Sequence, residues 1–207
     1  MANGYEKTYE TITPRLRDLD FPYAALRLGF DLIDKYRMSI DFLGRKYELD
    51  REGVRPVDGE KVNVNFLSVL VYYAISKGNT EPLYDFALLN SFSGGLFSGG
   101  GSGSGWMVEP IRKTCGGNYE KFRRAARDLG MIYEGSRVTA EHTWQYRLLP
   151  KIPALIKYFE ADEEFPCDVK IYYDKTVPEY LDFEPLAVLN GCLVAAITAA
   201  AEFHYNI

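Results

Sequence analysis

The stretch TWQYRLLPKIPALIKYFEADEEFPCDVKIYY, residues 143–173, contains three runs rich in aromatic and branched apolar residues, separated by prolines and an acidic turn. Such runs predict β-strands, at Thr143 to Leu149, Ala154 to Phe159 and Val169 to Tyr173. Because the connections between them are short, neighbouring strands are expected to pair in antiparallel fashion. This stretch therefore predicts the main sheet of the fold.

A second β signal lies towards the N-terminus, on either side of the dipeptide Leu43-Gly44. Apolar residues alternate with polar ones before and after it, at Met38, Ile40, Phe42, Tyr47 and Leu49. A period of two is typical of paired strands that bury one face. The segment is predicted to form a β-hairpin that turns at Leu43-Gly44.

Helical periodicity surrounds these strands. An N-terminal helix is predicted from a stripe of residues at Tyr5, Tyr9, Ile12, Leu16 and Leu19. Thr13-Pro14 either kinks this helix or restarts it with Thr13 as its cap. Further helices are predicted over residues 62–77, 108–113, 118–130 and 182–204. Asn118 and Asp182 are the expected caps of the last two.

The strands and helices together predict the α+β class, with helices flanking a mostly antiparallel sheet. The 207 residues show no change of composition that would mark a second domain, so residues 1–207 are predicted to form a single domain. Hydrophobic residues make up 47% of the chain and charged residues 26%, and these globular values exclude a disordered chain.

Charge and cysteine usage limit the partners and the compartment. The net charge is −5 and no Lys/Arg cluster recurs along a face, so no nucleic-acid partner is expected. The N-terminus does not resemble a signal peptide. The longest apolar stretch, residues 186–201, is shorter than a bilayer span and is interpreted as a buried helix, so no membrane partner is expected. Three isolated cysteines predict reduced thiols and a cytoplasmic location.

Residues 91–105 form the only low-complexity segment, with seven glycines and five serines. The spacing matches neither common nucleotide-binding glycine pattern, so the segment is predicted to be a flexible Gly/Ser-rich surface loop. The alternative is a ligand site, because backbone amides freed by glycine can bind an anion beside a helix N-terminus. The ligand would then stack on Trp106, and Lys113 or Arg112 would supply positive charge. The candidate ligand-binding residues are Gly99, Gly100, Gly101, Gly103, Gly105, Trp106 and Arg112.

The other residues that could take part in catalysis or ligand binding do not belong to a recognisable motif. His142 is interpreted as part of a loop pair with Glu141, and a catalytic role would need a partner that only the fold supplies. Cys115 is the thiol most expected to be exposed, although a buried or bystander cysteine is the main interpretation. The acidic run at 160–164 is predicted to be a solvated turn rather than a cation site. Of the pair Tyr72-Tyr73, at most one side chain belongs to the core, and the other can line a pocket. No catalytic or metal-binding residue is assigned.

Several motifs in combination resemble a known family. They are Leu148-Leu149-Pro150-Lys151-Ile152-Pro153, Asp162-Glu163-Glu164-Phe165-Pro166, Tyr173-Asp174, Tyr180-Leu181 and Glu184-Pro185-Leu186-Ala187-Val188-Leu189, preceded by Asp41 to Tyr47 and Asn118 to Phe122. With these motifs the chain resembles the domain of unknown function numbered 3786 over nearly its whole length. The residues that carry the likeness are prolines, apolar positions and turn residues, which specify a fold and transfer no catalytic role.

The resemblance implies a protein of anaerobic bacteria and archaea. Some members of that family carry an added cysteine-rich iron–sulfur segment, and some are associated with corrinoid-dependent one-carbon metabolism. The resemblance therefore implies a non-catalytic accessory or binding protein that associates with a larger cofactor enzyme. A corrinoid or an iron–sulfur cluster would be reached through that partner rather than held by this chain.

Two alternatives remain open from the sequence. One is an enzyme that binds a small molecule, a nucleotide or an anion with the Gly/Ser-rich loop before Trp106. The other is a structural subunit whose loop becomes ordered against a protein partner or a second copy in a homo-oligomer. The sequence does not decide whether the chain is an enzyme, and it names no ligand.

Overall fold

The structure, a computed structural model, describes residues 4–94, 107–136 and 140–203. Within these residues the chain forms six α-helices and two sheets, one of four strands and one of five. This mixture of helices and antiparallel strands confirms the predicted α+β class. The predicted hairpin and the three predicted strands belong to separate sheets.

Backbone contacts divide the chain into two compact units. Unit 1 contains the chain up to Glu81, together with Leu149–Lys151 and Thr176–Leu189. Unit 2 contains Pro82–Leu148, Ile152–Lys175 and the chain from Asn190 onwards. The single domain predicted for the whole chain stays a prediction.

Unit 1 begins with helices. Its helical elements are α1 (Gly4–Ile12), a 3-10 helix (Thr13–Asp18), α2 (Phe21–Leu28), α3 (Val64–Ile75) and a second 3-10 helix (Val177–Glu179). The predicted N-terminal helix thus changes from α to 3-10 geometry at Thr13. The alternative of Thr13 as a cap is wrong, because its hydroxyl donates to the carbonyl of Tyr9, one turn earlier, at 2.7 Å.

The sheet of unit 1 contains the predicted hairpin. Its strands are β1 (Asp31–Asp34), β2 (Arg37–Phe42), β3 (Arg45–Asp50) and β4 (Gly53–Pro56), antiparallel in that order. Leu43 and Gly44 have φ values of 50° and 78°, which suit a two-residue hairpin turn between β2 and β3. The sequence did not predict β1 or β4, because β1 is exposed along its whole length and β4 contains a glycine and a proline.

Helix α3 ends at Ile75, before the predicted stop at Lys77-Gly78. Ser76 is extended, and its carbonyl accepts a hydrogen bond from the Arg27 guanidinium of α2 at 2.6 Å. The same guanidinium donates to the carbonyl of Gly78. A tertiary contact therefore satisfies the carbonyls beyond the end of α3. Periodicity in the sequence cannot predict such a contact, so it placed the end of the helix too late.

Unit 2 is built on the second sheet. Its elements in chain order are β5 (Phe86–Leu88), a 3-10 helix (Leu89–Phe92), α4 (Glu109–Cys115), α5 (Tyr119–Asp128), β6 (Ile132–Gly135), β7 (Glu141–Leu149), β8 (Ile152–Phe159) and β9 (Asp168–Asp174). The strand order is β5-β9-β8-β7-β6. β9 is antiparallel to both β5 and β8, and β6 is antiparallel to β7. The three strands predicted from residues 143–173 are confirmed as β7, β8 and β9.

Helix α5 packs its apolar face on this sheet. Asn118 caps the helix as predicted, because its side chain accepts a hydrogen bond from the backbone N–H of Lys121 at 3.2 Å. The buried ring of Phe122 lies 4.9 Å from the ring of Tyr158 in β8, measured between centroids. It lies 6.4 Å from the ring of Trp144 in β7. These three rings form the aromatic core of unit 2.

The last helix, α6 (Phe183–Phe203), starts in unit 1 and continues into unit 2. Its buried residues recur at helical spacing, at Leu186, Leu189, Leu193 and Ile197. In unit 2, Asn190 of α6 accepts a hydrogen bond from the Tyr173 hydroxyl of β9 at 2.9 Å. By length and composition α6 is the one helix in the described part of the chain that could cross a membrane, and 44% of its apolar window is buried inside the structure.

Candidate functional site

A pocket of about 320 Å³ lies in unit 1. Its walls come from α1, from α3 and from the first residues of α6. This volume falls at the lower end of the range of about 300–1,000 Å³ that holds small organic ligands. The pocket is therefore large enough for a compact small molecule.

One face of α3 forms the polar wall of the pocket. The lining residues of this helix are Asn65, Ser68, Val69 and Tyr72. Their spacing of three, four and seven residues from Asn65 places them on the same side of the helix. Asn63 starts α3 by accepting a hydrogen bond from the backbone N–H of Asn65 at 2.9 Å, so Asn65 lies in the first turn.

Two polar atoms on this wall have no hydrogen-bond partner among the described residues. They are Oδ1 of Asn65 and Oγ of Ser68, and both atoms are buried. Ser68 as a whole is only 5% exposed. An unpaired buried polar group costs about 1–3 kcal/mol, and buried polar groups in native proteins are nearly always paired. Both atoms belong to residues that line the pocket.

The remaining walls are largely apolar. The lining residues of α6 are Phe183, Glu184, Pro185, Ala187 and Val188, and those of α1 are Tyr5 and Thr8. The Glu184 carboxylate is exposed at this wall. No lysine or arginine lies among the lining residues within the described part of the chain. The pocket therefore combines aromatic and aliphatic surface with oxygen atoms.

The side chains of Tyr72 and Tyr73 differ in burial, as the sequence predicts. Tyr73 is fully buried, whereas Tyr72 is half-buried and lines the pocket. The sequence reasoning did not identify Asn65 or Ser68, although polar residues three apart in a strongly apolar helix are a signal that could have found them.

Most residues of the predicted Gly/Ser ligand site lie outside the described residues. This applies to Gly99, Gly100, Gly101, Gly103, Gly105 and Trp106. Arg112 is described, and it lies in α4 of unit 2. Its Nε donates to the carbonyl of Cys167 at 3.1 Å, and its Nη1 lies 3.6 Å from a carboxylate oxygen of Glu109. The ligand site at the Gly/Ser-rich loop stays a prediction.

His142 acquires partners in unit 2 that the sequence could not supply. Its Nε2 lies 2.7 Å from a carboxylate oxygen of Glu160, and its Nδ1 lies 3.3 Å from the Tyr133 hydroxyl. The imidazole stacks on the Tyr119 ring at 3.5 Å between centroids. A carboxylate that orients an imidazole is what a general base requires. Within the described residues no group of three potential ligands that could hold a metal ion surrounds it.

The prediction that Glu141 and His142 form a loop pair is wrong, because both residues belong to β7. The strand extends to Glu141 because this carboxylate is buried and accepts a hydrogen bond from the Lys157 ammonium of β8 at 2.8 Å.

In the predicted acidic turn, Asp162 accepts hydrogen bonds from the backbone N–H groups of Glu164 and Phe165, and these bonds lower its pKa. That segment is an exposed turn, as predicted.

The three cysteines are free and buried. The expectation that Cys115 is the most exposed thiol is wrong, because the end of α4 packs into unit 2 and the Cys115 carbonyl accepts a hydrogen bond from the buried Tyr158 hydroxyl at 2.9 Å. Burial raises the pKa of Cys115 to about 11 and that of Cys192 to about 12. At neutral pH these two thiols are protonated and are poor nucleophiles.

The fold and the pocket define an α+β protein with a cavity of small-molecule size among three helices. A family profile described as Domain of unknown function (DUF3786) matches residues 20–196, and the chain belongs to this family. The resemblance read from the sequence motifs is thereby confirmed. No curated protein and no solved structure matches the chain. The matched region includes the pocket walls from α3 and α6, whereas Tyr5 and Thr8 of α1 precede it.

Proposed function

We propose that this protein is a binding protein that takes a small organic molecule into the pocket of unit 1. The observation that carries the proposal is a pair of buried oxygen atoms, Asn65 Oδ1 and Ser68 Oγ, which belong to residues lining the pocket and have no partner among the described residues. A ligand that donates a hydrogen bond to the amide oxygen and exchanges one with the hydroxyl offsets the cost of burying them.

The rest of the pocket favours a ligand with an apolar body. Phe183, Pro185 and Val188 supply surface that gains free energy when water is displaced, at about 25 cal/mol per Å². A pocket of about 320 Å³ suits a molecule of on the order of ten non-hydrogen atoms, since one water occupies about 30 Å³ in the liquid. Such a small ligand binds with a dissociation constant on the order of 1 mM or below.

Replacing Ser68 by alanine is expected to weaken the binding of 2-phenylethanol about fivefold, because one hydrogen bond of about 1 kcal/mol is lost. The free energy of unfolding should stay the same or rise, since the hydroxyl that disappears has no partner among the described residues. NMR titration measures the first quantity and urea denaturation the second.

Ser76→Ala is the matched control for this experiment. Oγ of Ser76 is also buried without a partner among the described residues, but Ser76 does not line the pocket. This variant should bind 2-phenylethanol like the native protein. If the native protein binds neither 2-phenylethanol nor its charged analogues 2-phenylethylammonium and phenylacetate, the proposed function is wrong.

The accessory role implied by the family resemblance is part of the same proposal. A protein that binds a small molecule can deliver or protect that molecule for a larger cofactor enzyme. The support is the family membership together with a pocket of a size that suits a small organic molecule.

Purification from native cells without oxygen tests this accessory role. The protein is expected to co-purify with a larger enzyme whose absorption spectrum reports a bound corrinoid or iron–sulfur cluster. Pairwise reconstitution of the two purified proteins, followed by gel filtration, controls for non-specific recovery. Repeated isolation of the chain alone under these conditions would contradict the accessory role and would leave the pocket proposal standing.

A further inference from the structure

We propose that the pocket of unit 1 selects an organic ammonium ion, a small molecule with an apolar body and one protonated amine. This inference rests on the proposed function and specifies the ligand class for the same site. It follows from three properties of the lining: the hydrogen-bonding roles of its polar atoms, its aromatic content and its charge.

Several polar atoms of the lining are suited to accept hydrogen bonds. The amide oxygen of Asn65 and the carboxylate of Glu184 act only as acceptors. The Ser68 hydroxyl can accept as well as donate. No lysine or arginine lies among the lining residues in the described ranges, so the side chains offer no charged donor to an anionic ligand. A group rich in N–H donors meets these oxygens best.

Aromatic rings supply a second reason. Tyr5, Tyr72 and Phe183 line the pocket from three different helices. The face of an aromatic ring attracts a cation through its quadrupole when the two lie within about 6 Å of each other. Several rings around one cavity, together with a carboxylate, are the side-chain chemistry by which proteins hold amines and quaternary ammonium groups.

The charge at the pocket provides the third reason. Among the described residues, the carboxylate of Glu184 has no ion-pair partner. Glu184 lies in the first turn of α6, where its charge offsets the positive end of the helix dipole. An anionic ligand would therefore meet like charge, whereas an ammonium ion gains a counter-ion.

Three probes of matched shape separate the ligand classes: 2-phenylethylammonium, 2-phenylethanol and phenylacetate. Titrated into the full chain at pH 7 and low salt, the ammonium ion is expected to bind about tenfold more tightly than the alcohol. Phenylacetate is expected to bind more weakly than either. Isothermal titration calorimetry or NMR shifts of the Tyr72 ring report the binding.

Glu184→Gln isolates the contribution of the carboxylate. This variant should weaken binding of the ammonium probe about fivefold and leave the affinity for 2-phenylethanol within about twofold. Glu10→Gln is the matched control, because it removes the same charge from an exposed position in α1 that does not line the pocket. Thermal unfolding of both variants checks that the fold is kept.

The measurements distinguish failure of the proposed ligand class from failure of the proposed binding pocket. If 2-phenylethanol or phenylacetate binds as tightly as the ammonium probe, or if Glu184→Gln leaves the ammonium affinity unchanged, the ammonium class is wrong while the binding pocket stands. If no probe binds, both proposals fall together. A tenfold preference that Glu184→Gln reduces and Glu10→Gln does not would establish the class.

Discussion

Replacing Gly29 by alanine is expected to lower the free energy of unfolding by about 2–5 kcal/mol. Gly29 ends α2 with a φ of +79°, a left-handed conformation that costs a residue with a Cβ about 1–2 kcal/mol. A Cβ at this position would also lie 2.7 Å from Cβ of Pro150, inside van der Waals contact. Overpacking of this kind adds about 1–3 kcal/mol. Urea denaturation followed by circular dichroism measures the change.

Gly130→Ala separates the two causes. Gly130 follows α5 with the same φ of +79°, but no atom lies within 4 Å of its Cβ position among the described residues. This substitution should cost only the backbone strain, about 1–2 kcal/mol. Equal losses at Gly29 and Gly130 would show that the approach of Pro150 contributes nothing, and the packing of α2 in unit 1 would need a different explanation.

Replacing Tyr73 by phenylalanine is expected to lower the free energy of unfolding by about 2–4 kcal/mol. The buried Tyr73 hydroxyl donates to the carbonyl of Leu28 at 2.7 Å and accepts from the backbone N–H of Lys151 at 3.1 Å. Phenylalanine keeps the ring and leaves both backbone groups without this partner. Each such group costs about 1–3 kcal/mol when it is buried and unpaired.

The pH dependence provides a second measurement on the same variant. Burial raises the pKa of Tyr73 above its usual value of about 10, so the folded state keeps a phenol proton that the unfolded chain loses. The stabilisation is complete below about pH 10 and declines as the pH rises further. Tyr73→Phe should therefore lose stability less steeply than the native protein above about pH 10.

Tyr72→Phe is the control for this prediction. Tyr72 precedes Tyr73 in α3, is half-buried and lines the pocket. Loss of its hydroxyl should change the free energy of unfolding by less than about 0.5 kcal/mol. A loss at Tyr72 as large as that at Tyr73 would mean that the two backbone bonds of Tyr73 do not carry its stabilising effect.

Local sequence signals predicted the elements that carry strong patterns. The hairpin turn at Leu43-Gly44 was predictable because alternating apolar residues flank it, and α5 was predictable because Asn118 precedes an apolar stripe. The short strands β1, β4, β5 and β6 were not predicted. A strand of three or four residues has no alternation long enough to recognise, and its partner strand defines it.

The candidate site was predicted only in part. Tyr72 could be proposed as a pocket residue because its neighbour Tyr73 takes the core position in α3. Asn65 and Ser68 looked like ordinary polar residues of a helix, which usually face water. Ser68 and the Oδ1 atom of Asn65 are nevertheless buried, in a pocket whose other walls come from α1 and α6, and α6 is more than a hundred residues away in the sequence.

The amino-acid sequence by itself determined the α+β class, the family and the reduced state expected of the thiols, because periodicity, motifs and residue counts are local or additive properties. The tertiary structure alone decided which polar groups are buried without partners, which carboxylate reaches His142 and where Pro150 meets Gly29. Burial and pairing depend on residues distant in the chain, and no local pattern encodes their distances.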